Sequence, residues 1–195
     1  MRIFITGLLF LGIFFQSQAQ DTIPPCDYKA NIDSDILKLK LTKEYLVWFK
    51  NLGAMTEYIE LSLTRNDSLE FVNLTKTKID NRVENDSVCL TANSRLYLQV
   101  QNSKIAVLPY VDQNQCSKIY PLEETGEELM SVGGAFLITA DAKKIIGNSP
   151  VNFMRIAVND SLNLDYVLKE HLTDQKFGIE SFPEKYFLEN LKCID

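Results

Sequence analysis

His171 is the only histidine in the 195 residues of this chain, and that limits the chemistry its side chains can assemble. A Ser-His-Asp or Cys-His arrangement would have to use this imidazole, and no GxSxG nucleophile motif accompanies it. Set between "LDYVLKE" and "LTDQ", His171 reads as a solvated residue at a strand end or in a loop. Zinc and the other metals that prefer imidazole lose their usual ligands for the same reason. No catalytic residue, metal ligand or cofactor is assigned from the sequence.

Carboxylates remain as a reactive class. Glycoside hydrolysis needs one protonated and one ionised acid in a cleft. The candidates are Asp33, Asp35, Glu44, Glu57, Glu60, Glu70, Asp112, Glu123 and Glu124. Their spacing does not separate a buried acid from a solvated one, and charged residues on strands mostly face water. The single tryptophan, Trp48, sits inside an apolar run and reads as core rather than as a platform for sugars. The acidic stretch "LEETGEEL" (Leu122 to Leu129) lacks the alternating Asp/Asn pattern of a calcium loop and reads as a solvated turn. Gly133 and Gly134 have neither GxGxxG nor a following Lys-Ser/Thr pair, so a bulge or tight bend is expected there rather than a phosphate cradle.

Asn-Asp-Ser occurs three times, at Asn66, Asn85 and Asn159, each time between apolar runs. Asn and Asp accept left-handed backbone geometry and bond their own chain, so each copy is first a turn. Two modification patterns overlap it. Asn66, Asn73, Asn85 and Asn159 satisfy Asn-x-Ser/Thr. Read one residue later, Asp-Ser/Thr-aliphatic marks Thr22, Ser68, Ser87 and Ser161 as acceptors for O-linked sugars on exported proteins.

Whether such chemistry is available depends on compartment. "MRIFITGLLFLGIFFQSQAQ" has the charge, apolar run and small-residue end of a secretory signal peptide, with cleavage expected after Ala19. The apolar run is shorter than the about 20 residues that span a bilayer, and no later segment approaches that length. Cys26 stands too far beyond the run to be a lipoprotein cysteine, so residues 20–34 are read as an extended entry segment and residues 35–195 as one β-rich domain. The chain is therefore expected in the periplasm or outside the cell. Cys26, Cys89, Cys116 and Cys193 all lie beyond the leader; at least one disulfide is expected, with three pairings open. Net charge is −6, and the leader holds one cation and no anion, so the remainder is slightly more acidic. Interspersed charge of this sign disfavours nucleic acid and anionic membranes as partners.

The elements that must position any site read mostly at period two. Leu37, Leu39 and Leu41 alternate with lysines, and Ile59, Leu61 and Leu63 with Glu60, Ser62 and Thr64. "EYLVWF" is continuously apolar and is expected as a strand buried on both faces. Hairpins are expected across the first and third Asn-Asp-Ser copies and across "QNS", with Pro109 at an edge or strand end. Residues 112–126 are expected as a loop. A short helix capped by Thr139 or Asp141 precedes Gly147, and a C-terminal helix from Ser181 or Phe182 should bury Phe187, Leu188 and Leu191. Eight or nine strands with two short helices describe an all-β fold: an antiparallel β-sandwich with one short inserted helix and a C-terminal helix.

At "SPVNFMRIAV" and "PEKYFLENLKCID" the chain resembles a loose group of small exported bacterial proteins with no assigned activity. The likeness covers roughly residues 85–195 and rests on the Met154–Ile156 strand and a helix ending in Lys-Cys. It implies export and a compact β-rich domain, and it brings no catalytic residues.

The expected function is that of an exported, non-catalytic β-sandwich domain acting in binding, adhesion or envelope assembly, toward a protein or glycan partner. Two alternatives carry structural markers. A carboxylate-dependent glycan hydrolase would bring two acids within about 5–9 Å in a cleft. A small-ligand carrier would hold a large apolar cavity in the sheet interior.

Overall fold

The computed structural model describes residues 25–81 and 87–195; the expected leader and cleavage site, Thr22 and Asn85 lie outside them. The chain folds as an all-β sandwich in which a seven-stranded and a four-stranded antiparallel sheet enclose one apolar core.

The large sheet contains β1 (Tyr28–Asp33), β2 (Lys38–Thr42), β3 (Tyr45–Asn51), β4 (Thr56–Asn66), β5 (Leu69–Asp80), β10 (Lys118–Leu122) and β11 (Glu127–Leu137). Its order is β1-β2-β4-β5-β11-β10, with β3 also on β4. β2 pairs with the end of β4 (Thr64 to Asn66) and β3 with its beginning (Thr56 to Leu61), so the two short strands lie end to end along one long one. At their junction the buried Thr42 hydroxyl accepts the Leu63 N–H at 2.8 Å, which satisfies a β4 amide that no strand reaches.

The small sheet is β13-β12-β7-β8, from β7 (Arg95–Val100), β8 (Ile105–Pro109), β12 (Val151–Ala157) and β13 (Asn163–Val167). Ile59, Leu61, Leu63, Val72, Leu74 and Phe136 of the large sheet meet Leu96, Leu98, Leu108, Met154 and Ile156 of the small one. Each is at most 2% exposed, so side chains fill the interior. Helix α1 (Ala140–Ile146), capped by the Thr139 hydroxyl, packs on β7 and β8 through Ala142 and Ile146.

Two hairpins follow the expected punctuation. Asp67, at φ 52°, turns β4 into β5. The Asn159 carboxamide accepts the N–H groups of Ser161 and Leu162, both at 2.9 Å, and turns β12 into β13. Both disulfides form: Cys26–Cys193 ties the entry segment to the last turn, and Cys89–Cys116 clasps β6 (Cys89–Leu90) to β9 (Gln115–Cys116). Two disulfides fit an extracellular or periplasmic protein. No helix among the described residues is long and apolar enough to cross a membrane.

Several local expectations are corrected. The described residues hold fifteen strands, because short bridging pairs such as β6–β9 leave no pattern in sequence. β1 begins at Tyr28, inside the entry segment, and Leu37 precedes β2 and is exposed. β3 is not buried on both faces: it pairs only with β4, and a bulge between Leu46 and Trp48 turns Val47 inward while Leu46 and Phe49 line the outer surface. Residues 112–126 contain β9 and β10, whose exposed faces gave no alternation to read. Gly133 and Gly134 lie in uninterrupted pairing with β5. The last segment is a 3₁₀ turn (Pro183–Lys185), helix α2 (Tyr186–Asn190) and a second 3₁₀ turn (Leu191–Ile194). It has no side-chain cap, buries Tyr186, Phe187 and Leu191, and leaves Leu188 exposed.

Candidate functional site

The outer face of the large sheet is built from the polar half of the alternating strands. Tyr58, Glu60, Ser62 and Thr64 of β4 stand beside Thr77, Thr75, Asn73 and Phe71 of β5 in register. Hydroxyl and amide groups therefore floor the sheet where charges would be usual on a solvated face. The Asn73 carboxamide donates to Thr64 Oγ1 at 2.6 Å and to Ser62 Oγ at 3.2 Å, which fixes three of these side chains in one orientation.

Two depressions occupy this face and meet at Glu60. The smaller, about 320 Å³, is lined by Leu41, Glu44, Glu60, Thr64, Asn73 and Thr75, with Ser62 at its floor. The larger, about 530 Å³, runs past Leu46, Phe49, Tyr58 and Ile79. Its far wall is the turn between β14 (Leu172–Asp174) and β15 (Ile179–Ser181), where Phe177 rests against Phe49 with ring centroids 5.5 Å apart. Asp174 Oδ1 accepts the N–H groups of Lys176 and Phe177, and Gly178 supplies a φ of +63°, so the turn presents Phe177 in a defined place. The Lys176 ammonium lies 5.2 Å over the Phe177 ring.

The two carboxyl groups of the smaller depression are shifted in opposite directions. Burial pushes the Glu60 carboxyl above its usual value of 4.5, and the charge of Glu44 adds to the shift. The Lys29 ammonium, bonded to Glu44 at 2.6 Å, holds the Glu44 carboxyl below that value, with help from a backbone amide. β3–β4 pairing sets Leu46 opposite Glu60, so Glu44, two residues before Leu46, is the diagonal neighbour of Glu60. Diagonal pairs stand about 7–8 Å apart.

Other acids from the sequence go elsewhere. Glu57 points between the sheets to Lys76 at 2.7 Å, and Glu70 holds Lys143 at 2.8 Å. Asp33, Asp35, Asp112, Glu123 and Glu124 are exposed at a strand end or in turns. Trp48 is half-buried edge-on to Tyr166, in the interior. His171 is exposed, stacked on Phe182 at 4.7 Å and 3.3 Å from Glu180. Of the acceptor candidates, Ser68, Ser87 and Ser161 are exposed, whereas the Asn73 side chain is engaged in the sheet face.

The outer face of the small sheet differs. Tyr97, Ile105, Phe153 and Arg155 surround a depression of about 430 Å³, and Arg155 forms a two-pronged ion pair with Asp165.

Residue type does not single out Phe49, Tyr58, Thr75 or Phe177, and it marks Asn73 only as a glycan acceptor. The legible signal was the run of uncharged Ser, Thr and Asn at the outward positions of β4 and β5, where Lys and Glu are the ordinary occupants.

Comparison with family models, with curated proteins and with solved structures gives no match for this chain.

Proposed function

We propose that this is an exported binding domain whose large-sheet outer face takes a neutral polyhydroxylated ligand, an oligosaccharide. The observation that carries the reading is the pair of depressions meeting at Glu60, aromatic at one end and lined with hydroxyl and amide groups at the other. Sugar rings offer the same division. Their C–H faces pack on rings such as Phe49, Tyr58 and Phe177, and their hydroxyls exchange hydrogen bonds with groups such as Asn73, Thr64 and Thr75. A net charge of −6 with no basic stripe supports a neutral ligand over a polyanion.

Export follows from the leader, removed after Ala19, into an oxidising compartment that maintains both disulfides. Intact mass of the exported protein reports both claims: loss of 19 residues for cleavage, and hexose increments for sugars on Thr22, Ser68, Ser87 or Ser161.

Calorimetric titration with hexasaccharides of glucose, mannose, xylose and N-acetylglucosamine tests the binding reading. At least one should bind, and Phe177→Ala and Asn73→Ala should each weaken it by about tenfold or more. Phe153→Ala, on the opposite sheet, should leave it unchanged. Absence of binding by all four, or equal weakening by Phe153→Ala, overturns the reading.

A further inference from the structure

We propose that the smaller depression is also a catalytic site, in which Glu60 as general acid and Glu44 as general base hydrolyse a glycosidic bond with inversion of configuration. The inference rests on the oligosaccharide reading above and adds a reaction to it.

Geometry comes first. Both carboxylates line one depression: Glu60 is on β4, opposite Leu46, and Glu44 immediately precedes β3, two residues before Leu46. Diagonal strand positions are about 7–8 Å apart, a spacing from which two carboxyl groups can leave room for a water between the base and the anomeric carbon, as inverting hydrolysis requires. Ser62, Thr64, Asn73 and Thr75 surround the same space and can hold the hydroxyls of the sugar being cleaved. The environments divide the roles: burial favours a proton on Glu60, and the Lys29 ammonium favours the ionised form of Glu44. Lys29 is then a positioning residue. One further acid, Glu127, lines the larger depression. It lies six residues along β11 from Gly133, which pairs with the Thr75 opposite Glu60, so it stands about 20 Å away and belongs to no pair with Glu60.

In the reaction, the Glu60 proton passes to the glycosidic oxygen as the bond to the anomeric carbon breaks, and the electron pair of that bond leaves with the oxygen. A water attacks the anomeric carbon from the opposite face and gives its proton to the Glu44 carboxylate. One water is consumed and one new reducing end appears. Proton exchange with solvent restores Glu60 as the acid and Glu44 as the base.

The test incubates the disulfide-bonded exported protein with whichever hexasaccharide binds, and follows new reducing ends and the configuration of the new anomer by NMR. Turnover with inversion is expected, falling by about 100-fold or more in both Glu60→Gln and Glu44→Gln while affinity changes less than about threefold. Asp165→Asn, on the other sheet, should turn over like the unaltered protein. The rate should follow a bell-shaped pH profile whose alkaline limb is lost in Glu60→Gln. Binding without new reducing ends overturns the catalytic inference and leaves the binding reading intact. Retained configuration, or undiminished turnover in either Gln variant, overturns the assignment of roles. Failure of every hexasaccharide to bind overturns both.

Discussion

The ring of Tyr110 lies against Gly134 so closely that a Cβ at position 134 would stand 2.3 Å from Tyr110 Cε2. Tyr110 is the point at which the chain leaves β8 of the small sheet and pairs with Phe136 of the large one. Its ring is buried, edge-on to Phe136, and its hydroxyl donates to the Gln113 carbonyl at 2.6 Å. The two sheets therefore meet at a corner that only a glycine in β11 leaves open.

Gly134→Ala should destabilise the protein by about 1–3 kcal/mol, since neither the tethered ring nor the paired strand can yield freely. Urea unfolding measures it. A second change, Tyr110→Leu, should make the alanine nearly neutral in that background, because the obstructing ring is gone.

The disulfides should contribute unequally. Cys26–Cys193 closes a separation of 167 residues and Cys89–Cys116 one of 27. In the chain-entropy account the longer loop contributes roughly 1.5 kcal/mol more. Unfolding of the two double-serine variants should rank in that order, and non-reducing peptide maps should return these two pairs alone.

Lys76 and Glu57 form an ion pair at 2.7 Å, with side chains 8% and 17% exposed on the inner side of the sandwich. Removing one partner leaves a charge in a poorly solvated place, so Lys76→Met should cost about 3 kcal/mol. Replacing both by Met and Leu should recover most of that loss. A double-mutant cycle by urea unfolding measures the coupling.

Glu60 predicts a pH dependence of defined sign. Its carboxyl titrates above 4.5 in the folded protein, so the folded state holds the proton more tightly than the unfolded chain. The resulting stability is complete below the unfolded value near 4.5 and is lost as pH rises through the folded value. Glu60→Gln should thus melt higher than the unaltered protein at pH 7, and the difference should vanish below pH 4.5. Glu44, held low by Lys29, has the reverse sign: its contribution is present above 4.5 and lost as pH falls, and solvent screening of this exposed pair keeps it small.

The core face was legible because alternation writes it directly: Ile59, Leu61 and Leu63 point inward as their spacing demands. The turns at Asp67 and Asn159 were legible because their chemistry is local. Leu46 and Phe49 were not, because a bulge reassigns faces without changing residue type. Nor was β10, an edge strand whose exposed side chains obey no alternation.

At the candidate site the same division holds. Glu44 and Glu60 stood among nine undistinguished acids until strand register made them neighbours and Lys29 and burial gave them different environments. Phe177 reached the face through a hairpin far along the chain.

By itself the sequence determined what acts over a few residues: strand periodicity, turn positions and the capping Thr139. Only the tertiary structure decided which cysteines pair, which acids share a depression and why residue 134 is glycine. Those depend on contacts between segments distant in the chain, and one-dimensional spacing carries no record of them.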